Sequence, residues 1–253
     1  MIDLFNLTGK RILVTGGTRG IGGAISFRLA RAGASVIANY VRDERSALEL
    51  LEKAENEGLS LEICRADLTG KRGLERLETA LGDREEKLSC MVYASATGVH
   101  GSIDELTMRH FDWTFLLNVR AFFEVMKNLL ERFLEGSSIV VLSSEGAVRA
   151  MPFYTLVGSS KGALESLARH FAAELAPRGI RVNILSPGTV LTDAWEMMPN
   201  REQRIAATIQ RTPTGRLCTP EEVAWAAQFL CSDASSGIVG HTLVVDGGAR
   251  IVG

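Results

Sequence analysis

No charge of one sign dominates this sequence. Its 28 Lys+Arg stand against 30 Asp+Glu, a formal net charge of −2, and that balance argues against a nucleic-acid binder. No apolar run reaches the roughly 18 residues that a membrane-spanning helix requires. The first ten residues, Met1 to Lys10, hold charges and no long apolar stretch, so they do not read as a signal peptide, and a cytoplasmic location is expected. Cysteine is scarce: Cys64, Cys90, Cys218 and Cys231 form no CxxC pair, and buried free thiols in a reducing compartment are expected. The four histidines, His100, His110, His170 and His241, show neither HxH nor HExxH spacing, so no metal site is expected. With 46% hydrophobic residues and so little net charge, disorder is excluded as the main state.

What is present is an alternation of short β-rich runs with longer amphipathic segments. Strands are expected at Arg11–Thr15, Ser35–Tyr40, Leu61–Arg65, Cys90–Ala94, Ser138–Leu142, Arg181–Leu185 and Thr242–Val245. Helical spacing marks Gly20–Ala32, Glu44–Gly58, Glu75–Leu81, the stripe Phe115, Val119, Phe122, Phe123, Met126 and Leu130, and the stripe Leu164, Leu167, Ala168, Phe171 and Leu175. Strands bounded by helices in this way predict an α/β fold in one domain over residues 1–253: a doubly wound parallel sheet of about seven strands with helices on both faces. The stretch Thr189–Thr214, rich in Met, Arg and Pro, breaks the rhythm. It is expected to lie over the ligand edge of the sheet as a substrate lid or an ordered surface insertion.

Thr15-Gly16-Gly17-Thr18-Arg19-Gly20-Ile21-Gly22 follows the first strand and opens the first helix. In that context Gly16 permits a sharp turn, Gly20 lets backbone approach a pyrophosphate, and Gly22 lets the helix pack close to the sheet. The helix N-terminus offers free N–H groups to phosphate. The second strand ends Asn39-Tyr40-Val41-Arg42, without the carboxylate that an NAD site places there, so Arg42 and Arg19 are available to a 2′-phosphate and NADPH is the expected cofactor. Asp67-Leu68, after the third strand, is placed either to meet the adenine edge or to cap a helix through Asp67.

The glycine turn, Asn118, Ser144, Lys161, Ser186-Pro187-Gly188 and the terminal Val245-Asp246-Gly247-Gly248 together resemble the short-chain dehydrogenase/reductase family over nearly the whole chain. The resemblance implies a Rossmann enzyme, commonly a homotetramer, that uses NAD or NADP. It also implies cofactor contacts at Gly16, Thr18, Arg19, Gly20, Ile21, Arg42, Asp67, Leu68, Ala94, Ser95, Lys161, Pro187, Gly188, Val190 and Thr192.

One departure is informative. Most members carry Tyr four residues before the active Lys, where this chain has Val157; the nearest tyrosine, Tyr154, stands seven before Lys161. That spacing, the segment Leu142–Glu165, Pro199-Asn200-Arg201-Glu202 and Thr212–Arg216 most resemble the NADPH-dependent type III enoyl-[acyl-carrier-protein] reductases. Offsets of four and seven both place two side chains on one helix face, and the longer one moves the phenol by roughly 4.5 Å if the stretch is helical. An enoyl thioester takes hydride at C3 while charge develops on the oxygen at C1, so a withdrawn phenol suits conjugate reduction.

The roles implied are then Tyr154 on the thioester oxygen, Lys161 on the nicotinamide ribose, Ser144 orienting substrate, and Asn118 holding a water that links Lys161 to solvent. Ala96, Tyr154, Trp195 and Met198 would contact substrate, an acyl chain on acyl-carrier protein or another thioester. Two further departures stand beside these. The fourth strand runs into Ala94-Ser95-Ala96 where the family often has Asn-Asn-Ala-Gly, and no second tyrosine lies near Ser144 or just before Tyr154, where Ala150 and Phe153 stand. Carbonyl or 3-ketoacyl reduction, and a non-catalytic NADP-binding protein, are the alternative readings.

Overall fold

A computed structural model describes residues 3–192 and 201–252. Seven strands form one parallel sheet: β1 (Arg11–Thr15), β2 (Ser35–Tyr40), β3 (Leu61–Arg65), β4 (Leu88–Tyr93), β5 (Phe133–Leu142), β6 (Arg181–Pro187) and β7 (Thr242–Val245), in the order β3-β2-β1-β4-β5-β6-β7. Between and around them run α1 (Gly20–Arg31), α2 (Glu44–Asn56), α3 (Lys71–Ala80), α4 (Met108–Phe115), α5 (Ala121–Leu129), α6 (Thr155–Leu175), α7 (Arg201–Arg211) and α8 (Pro220–Cys231). β1, β2, β4 and β6 are buried at nearly every position because both faces of the sheet are covered there. Alternate residues serve opposite layers. Ile12, Val14, Val36, Ala38, Val140 and Leu142 pack with α1, α2 and α8, while Leu13, Ile37, Met91, Ile139 and Val141 pack with α3, α5 and α6. Among the described residues no helix is long and apolar enough to cross a membrane.

The winding reverses between β1 and β4, which pair in parallel from Ile12 with Cys90 to Thr15 with Tyr93. Loops leaving the carboxyl ends of these two strands diverge, and the crevice between them is where such sheets bind ligands. Two glycines make the crevice possible. Gly16 has φ 61°, and a Cβ on it would stand 3.0 Å from the Ser95 Cα. A Cβ on Gly22 would collide with the Gly16 carbonyl oxygen, so α1 sits directly on the turn.

Several elements differ from the sequence expectation. The third helix begins at Lys71 on the N-cap Gly70, not at Asp67, whose carboxylate instead accepts from the Thr69 N–H and hydroxyl in a local turn. The long helix starts at Met108, capped by Thr107, and widens into a π turn at Leu116–Arg120, where the Ala121 N–H reaches the Leu116 carbonyl. The Thr189–Thr214 stretch is not irregular throughout: Arg201–Arg211 is α7, built of good helix formers, and Val190 forms a parallel bridge with Cys218. Residues 193–200 of that stretch, with Trp195, Met197 and Met198, lie outside the described residues. Helix α8 has a sequence signal of its own, a Thr219–Glu222 capping box with Pro220 in the first turn.

Gly22→Ala is expected to cost ~1–3 kcal/mol by overpacking α1 against the turn, roughly 2–12 °C in melting temperature for a chain of this size. A thermal melt by circular dichroism checks this; an unchanged midpoint would show that α1 does not depend on the close approach.

Candidate active site

The residues singled out by the sequence converge on the carboxyl edge of the sheet. The turn after β1 carries the glycines, the loop after β4 runs from Ala94 to Gly101, Ser144 follows β5, and Gly188 follows β6. Thr15 ties the first two together: its carbonyl accepts from the Ala94 N–H at 3.2 Å and its hydroxyl from the Ser95 N–H at 3.3 Å.

Tyr154 is the N-cap of α6 and stands just outside the helix, at φ −115° and ψ 15°. Its carbonyl accepts the Gly158 N–H at 2.7 Å, so the helical spacing to Lys161 is already set at this residue. The ring lies over glycine. A Cβ on Gly146 would come within 2.5 Å of the Tyr154 ring carbons, and one on Gly158 within 2.6 Å of the Gly146 carbonyl. The His100 imidazole stacks on the ring at 5.4 Å between centroids and 18° between planes. The phenol donates to Ser144 Oγ at 3.3 Å, and Ser144 Oγ also accepts the Gly146 N–H at 3.2 Å. Burial pushes the phenol pKa up, and the Ser144 contact partly opposes that shift. Phe153, immediately before, has φ 61°, the one positive φ among described non-glycine residues. Such a conformation costs of order 1–3 kcal/mol and turns the chain sharply into Tyr154. Val157, in the position nearer Lys161, is buried and lies against Gly98; it offers no hydroxyl.

Lys161 is buried, and its Nζ donates to the Leu142 carbonyl at the end of β5, at 2.7 Å. Desolvation pushes its pKa down to about 8, against the pull of the Glu165 carboxylate one turn on. Glu165 is itself buried; it accepts from the Ser143 hydroxyl at 2.6 Å and lies 3.5 Å from Arg169. The Asn118 side chain is committed to the fold. Its Oδ1 accepts the Thr97 N–H at 2.9 Å, and its Nδ2 donates to the Thr97 carbonyl and to Ser160 Oγ, both at 2.8 Å. The π turn delivers this side chain, and Tyr93, at the end of β4, donates its hydroxyl to the Leu117 carbonyl of the same turn at 2.6 Å. Turns of this kind occur frequently at functional sites.

The glycine turn presents an open cradle. Arg19 is the N-cap of α1 and makes no side-chain cap, so the first-turn N–H groups are not consumed by it. Thr18 is buried, Ile21 is half-buried against the core, and the Thr192 methyl stands 3.4 Å from where a Cβ on Gly20 would be, so the loop after β6 lies across the turn. Gly188 donates to the Val245 carbonyl at 2.9 Å, and Pro187 ends β6. Leu68 and Val190 point into the core, which leaves only their backbone to a ligand; Asp67 and Ala96 are exposed. Arg42 lies over the Trp113 ring at 5.9 Å, and Arg19 lies 3.8 Å from Asp43, whose carboxylate caps α2 through Ser46. His100, Trp113, Glu165 and Asn39 belong to this edge without any sequence signal to single them out. Asn39 Nδ2 donates to the Cys64 and Ala66 carbonyls at 3.2 and 2.9 Å and so fixes the end of β2, whose Asn39 carbonyl accepts the Gly17 N–H.

A family profile described as "Enoyl-(Acyl carrier protein) reductase" matches residues 16–250. The chain is 34% identical over 242 residues to 1-cyclohexenylcarbonyl-CoA reductase of Streptomyces collinus, covering 95% of this chain and 86% of that one. It is 32% identical over 256 residues to hydroxynaphthalene reductase-like protein Arp2 of Metarhizium guizhouense, covering 96% of each. Its fold superposes with a TM-score of 0.89 on a short chain dehydrogenase from Burkholderia cenocepacia in complex with NADP, at 32% identity over 97% of this chain and 99% of that one. With the Rossmann sheet, the glycine turn and the Tyr154–Lys161 helix in place, this chain belongs to the short-chain dehydrogenase/reductase family of oxidoreductases.

Proposed function

We propose that the protein reduces the carbon–carbon double bond of an enoyl thioester, carried by acyl-carrier protein or another thiol, with NADPH. The observation that carries this reading is the placement of the phenol. Tyr154 stands at the mouth of α6 beside Ser144, while the position nearer Lys161 is filled by buried Val157. A hydroxyl farther from the lysine serves an oxygen that is removed from the carbon receiving hydride. The reductase from Streptomyces collinus supports it, since its name denotes a conjugated acyl thioester as substrate.

The residues present fit a dinucleotide. Side chains at Gly16 and Gly22 would fill the turn, and the α1 N-terminus leaves N–H groups for phosphate. NADPH, when bound, supplies the hydride. Arg42 and Arg19 flank the end of β2 and favour a 2′-phosphate, as the NADP complex of the Burkholderia cenocepacia relative also suggests. Tyr154, whose phenol is protonated at neutral pH and is pushed further that way by burial, donates a hydrogen bond to the thioester oxygen and stabilises the enolate charge that develops there, and the enolate then takes a proton from water at C2 to give the saturated thioester. Lys161 places a positive charge close to the site and holds the nicotinamide ribose hydroxyls.

Tyr154→Phe is expected to lower kcat on crotonyl thioester by roughly 10²–10³, the loss of one oxyanion donor, with NADPH affinity nearly unchanged; stopped-flow loss of NADPH absorbance measures both. Turnover of acetoacetyl thioester in preference to crotonyl thioester would move the assignment to carbonyl reduction, and tight NADPH binding without turnover of either would make it a binding protein.

Cofactor choice is tested separately. Arg42→Asp is expected to erode the preference for NADPH over NADH, and equal kcat/KM with both cofactors in the unaltered protein would contradict the assignment. For Lys161 the sign follows from its lowered pKa: the ammonium is present below about 8 and is lost as pH rises through that value. The rate is therefore expected to fall on the alkaline side of about pH 8. Lys161→Arg, which stays charged, should remove that limb from whatever activity it keeps. A profile that stays flat from about pH 7 to about pH 10 would contradict a cationic role.

A further inference from the structure

We infer that His100 is a positioning residue for Tyr154, the second wall of the slot that holds the phenol. The first wall is made of glycine: at Gly146 and Gly158 a Cβ would stand 2.5 Å and 3.4 Å from the ring carbons, so the ring rests directly on backbone there. The His100 imidazole is stacked on the same ring at 5.4 Å between centroids and 18° between planes. A stacked aromatic pair contributes more than its buried area, and it fixes the plane of each ring.

The stack is anchored on both sides. Next to His100, the Gly101 N–H donates to the Phe153 carbonyl at 3.1 Å, so the loop after β4 is joined by backbone to the residue preceding Tyr154. Phe153 itself sits at φ 61°, inside a turn that the Tyr154 N–H closes on the Met151 carbonyl at 3.2 Å. Lower in the same loop, Asn118 clamps the Thr97 N–H and carbonyl. His100 is exposed while Tyr154 is largely covered, which places the imidazole at the boundary between solvent and phenol. The effect of His100 on turnover works through Tyr154 and rests on the role proposed above; its effect on the phenol does not.

The test uses His100→Ala and His100→Phe in the full chain, with two readouts. The first is phenolate absorbance against pH. The chain has 3 tyrosines, and the difference against Tyr154→Phe isolates the one at the site. Because burial holds the Tyr154 pKa up, His100→Ala is expected to bring it back toward the ordinary value as water reaches the ring, and His100→Phe is expected to leave it in place. The second readout is kinetic, with crotonyl thioester and NADPH. His100→Ala is expected to lower kcat by about tenfold or more, the scale of a misplaced catalytic group, with KM for NADPH within about twofold, and His100→Phe to recover most of the rate. The inference is overturned if the phenol titrates alike in the parent and His100→Ala, or if His100→Phe fails as badly as His100→Ala, which would assign the effect to imidazole chemistry instead of cover. A shifted titration in a protein that turns over no enoyl thioester would uphold His100 as the wall of the slot and remove the proposed substrate.

Discussion

The parallel pairing of β1 with β4 is the constraint on which the other placements depend. Thr15 and Tyr93 are partners at the carboxyl end of that pair, and the backbone of Gly16 lies against that of Ser95 with no room for a side chain between them. Thr15 then holds Ala94 and Ser95 by hydrogen bonds, so the loop after β4 inherits its position from the glycine turn. That loop is fastened further at Thr97, by Asn118 and by the Trp113 indole N–H, and at Gly101 by the Phe153 carbonyl. The glycine turn and the phenol are thus parts of one fixed edge, joined through backbone and through the Asn118–Ser160 contact to α6.

Burial sets the chemistry of the two ionisable groups on α6 in opposite ways. It disfavours the charged form of each, so the Tyr154 phenol is held as a donor at neutral pH, while the Lys161 ammonium is brought down to about 8. The Leu142 carbonyl and the Glu165 carboxylate compensate the lysine, and the Ser143 hydroxyl and Arg169 keep the glutamate paired in turn. A buried charge that lost these partners would be expensive. The short segment 142–145 therefore has a double duty: it supports Lys161 and Glu165 through Leu142 and Ser143, and it presents Ser144 to the phenol. Glu145, the next residue, is buried as well and lies 3.1 Å from Arg149 and 3.8 Å from Arg211 at the end of α7, which ties this turn to the helix beyond β6.

Much of this edge is legible in the amino-acid sequence. Continuous apolar runs such as Ile12-Leu13-Val14 mark strands buried on both faces, and four of the seven strands, β1, β2, β3 and β7, have the limits their sequences predict. The glycine turn is marked by its strand–turn–helix context, while Ser144, Tyr154 and Lys161 are marked by the family resemblance. Other features carry a local signal of a different kind. The Thr219-Pro220-Glu221-Glu222 cap announces α8, and Arg201–Arg211 has helix-forming composition beneath an irregular setting. The π turn at Asn118 has no such mark, because its widened hydrogen bonds are chosen by partners on β4, in the loop after β4 and on α6, not by its own residues.

The sequence by itself determined the parallel α/β order and the glycine turn after β1, since each of these follows from periodicity or from the absence of a Cβ over a few consecutive residues. Tertiary structure alone decided that Asn118 would spend its amide on Thr97 and Ser160, that Arg42 would lie over Trp113, and that His100 would cover the Tyr154 ring. The physical reason is distance along the chain. His100 and Tyr154 are brought together by the parallel pairing of β4 with β5, whose following segments carry them, and by one backbone hydrogen bond to Phe153, and no pattern within either segment encodes a contact that neither segment can make alone.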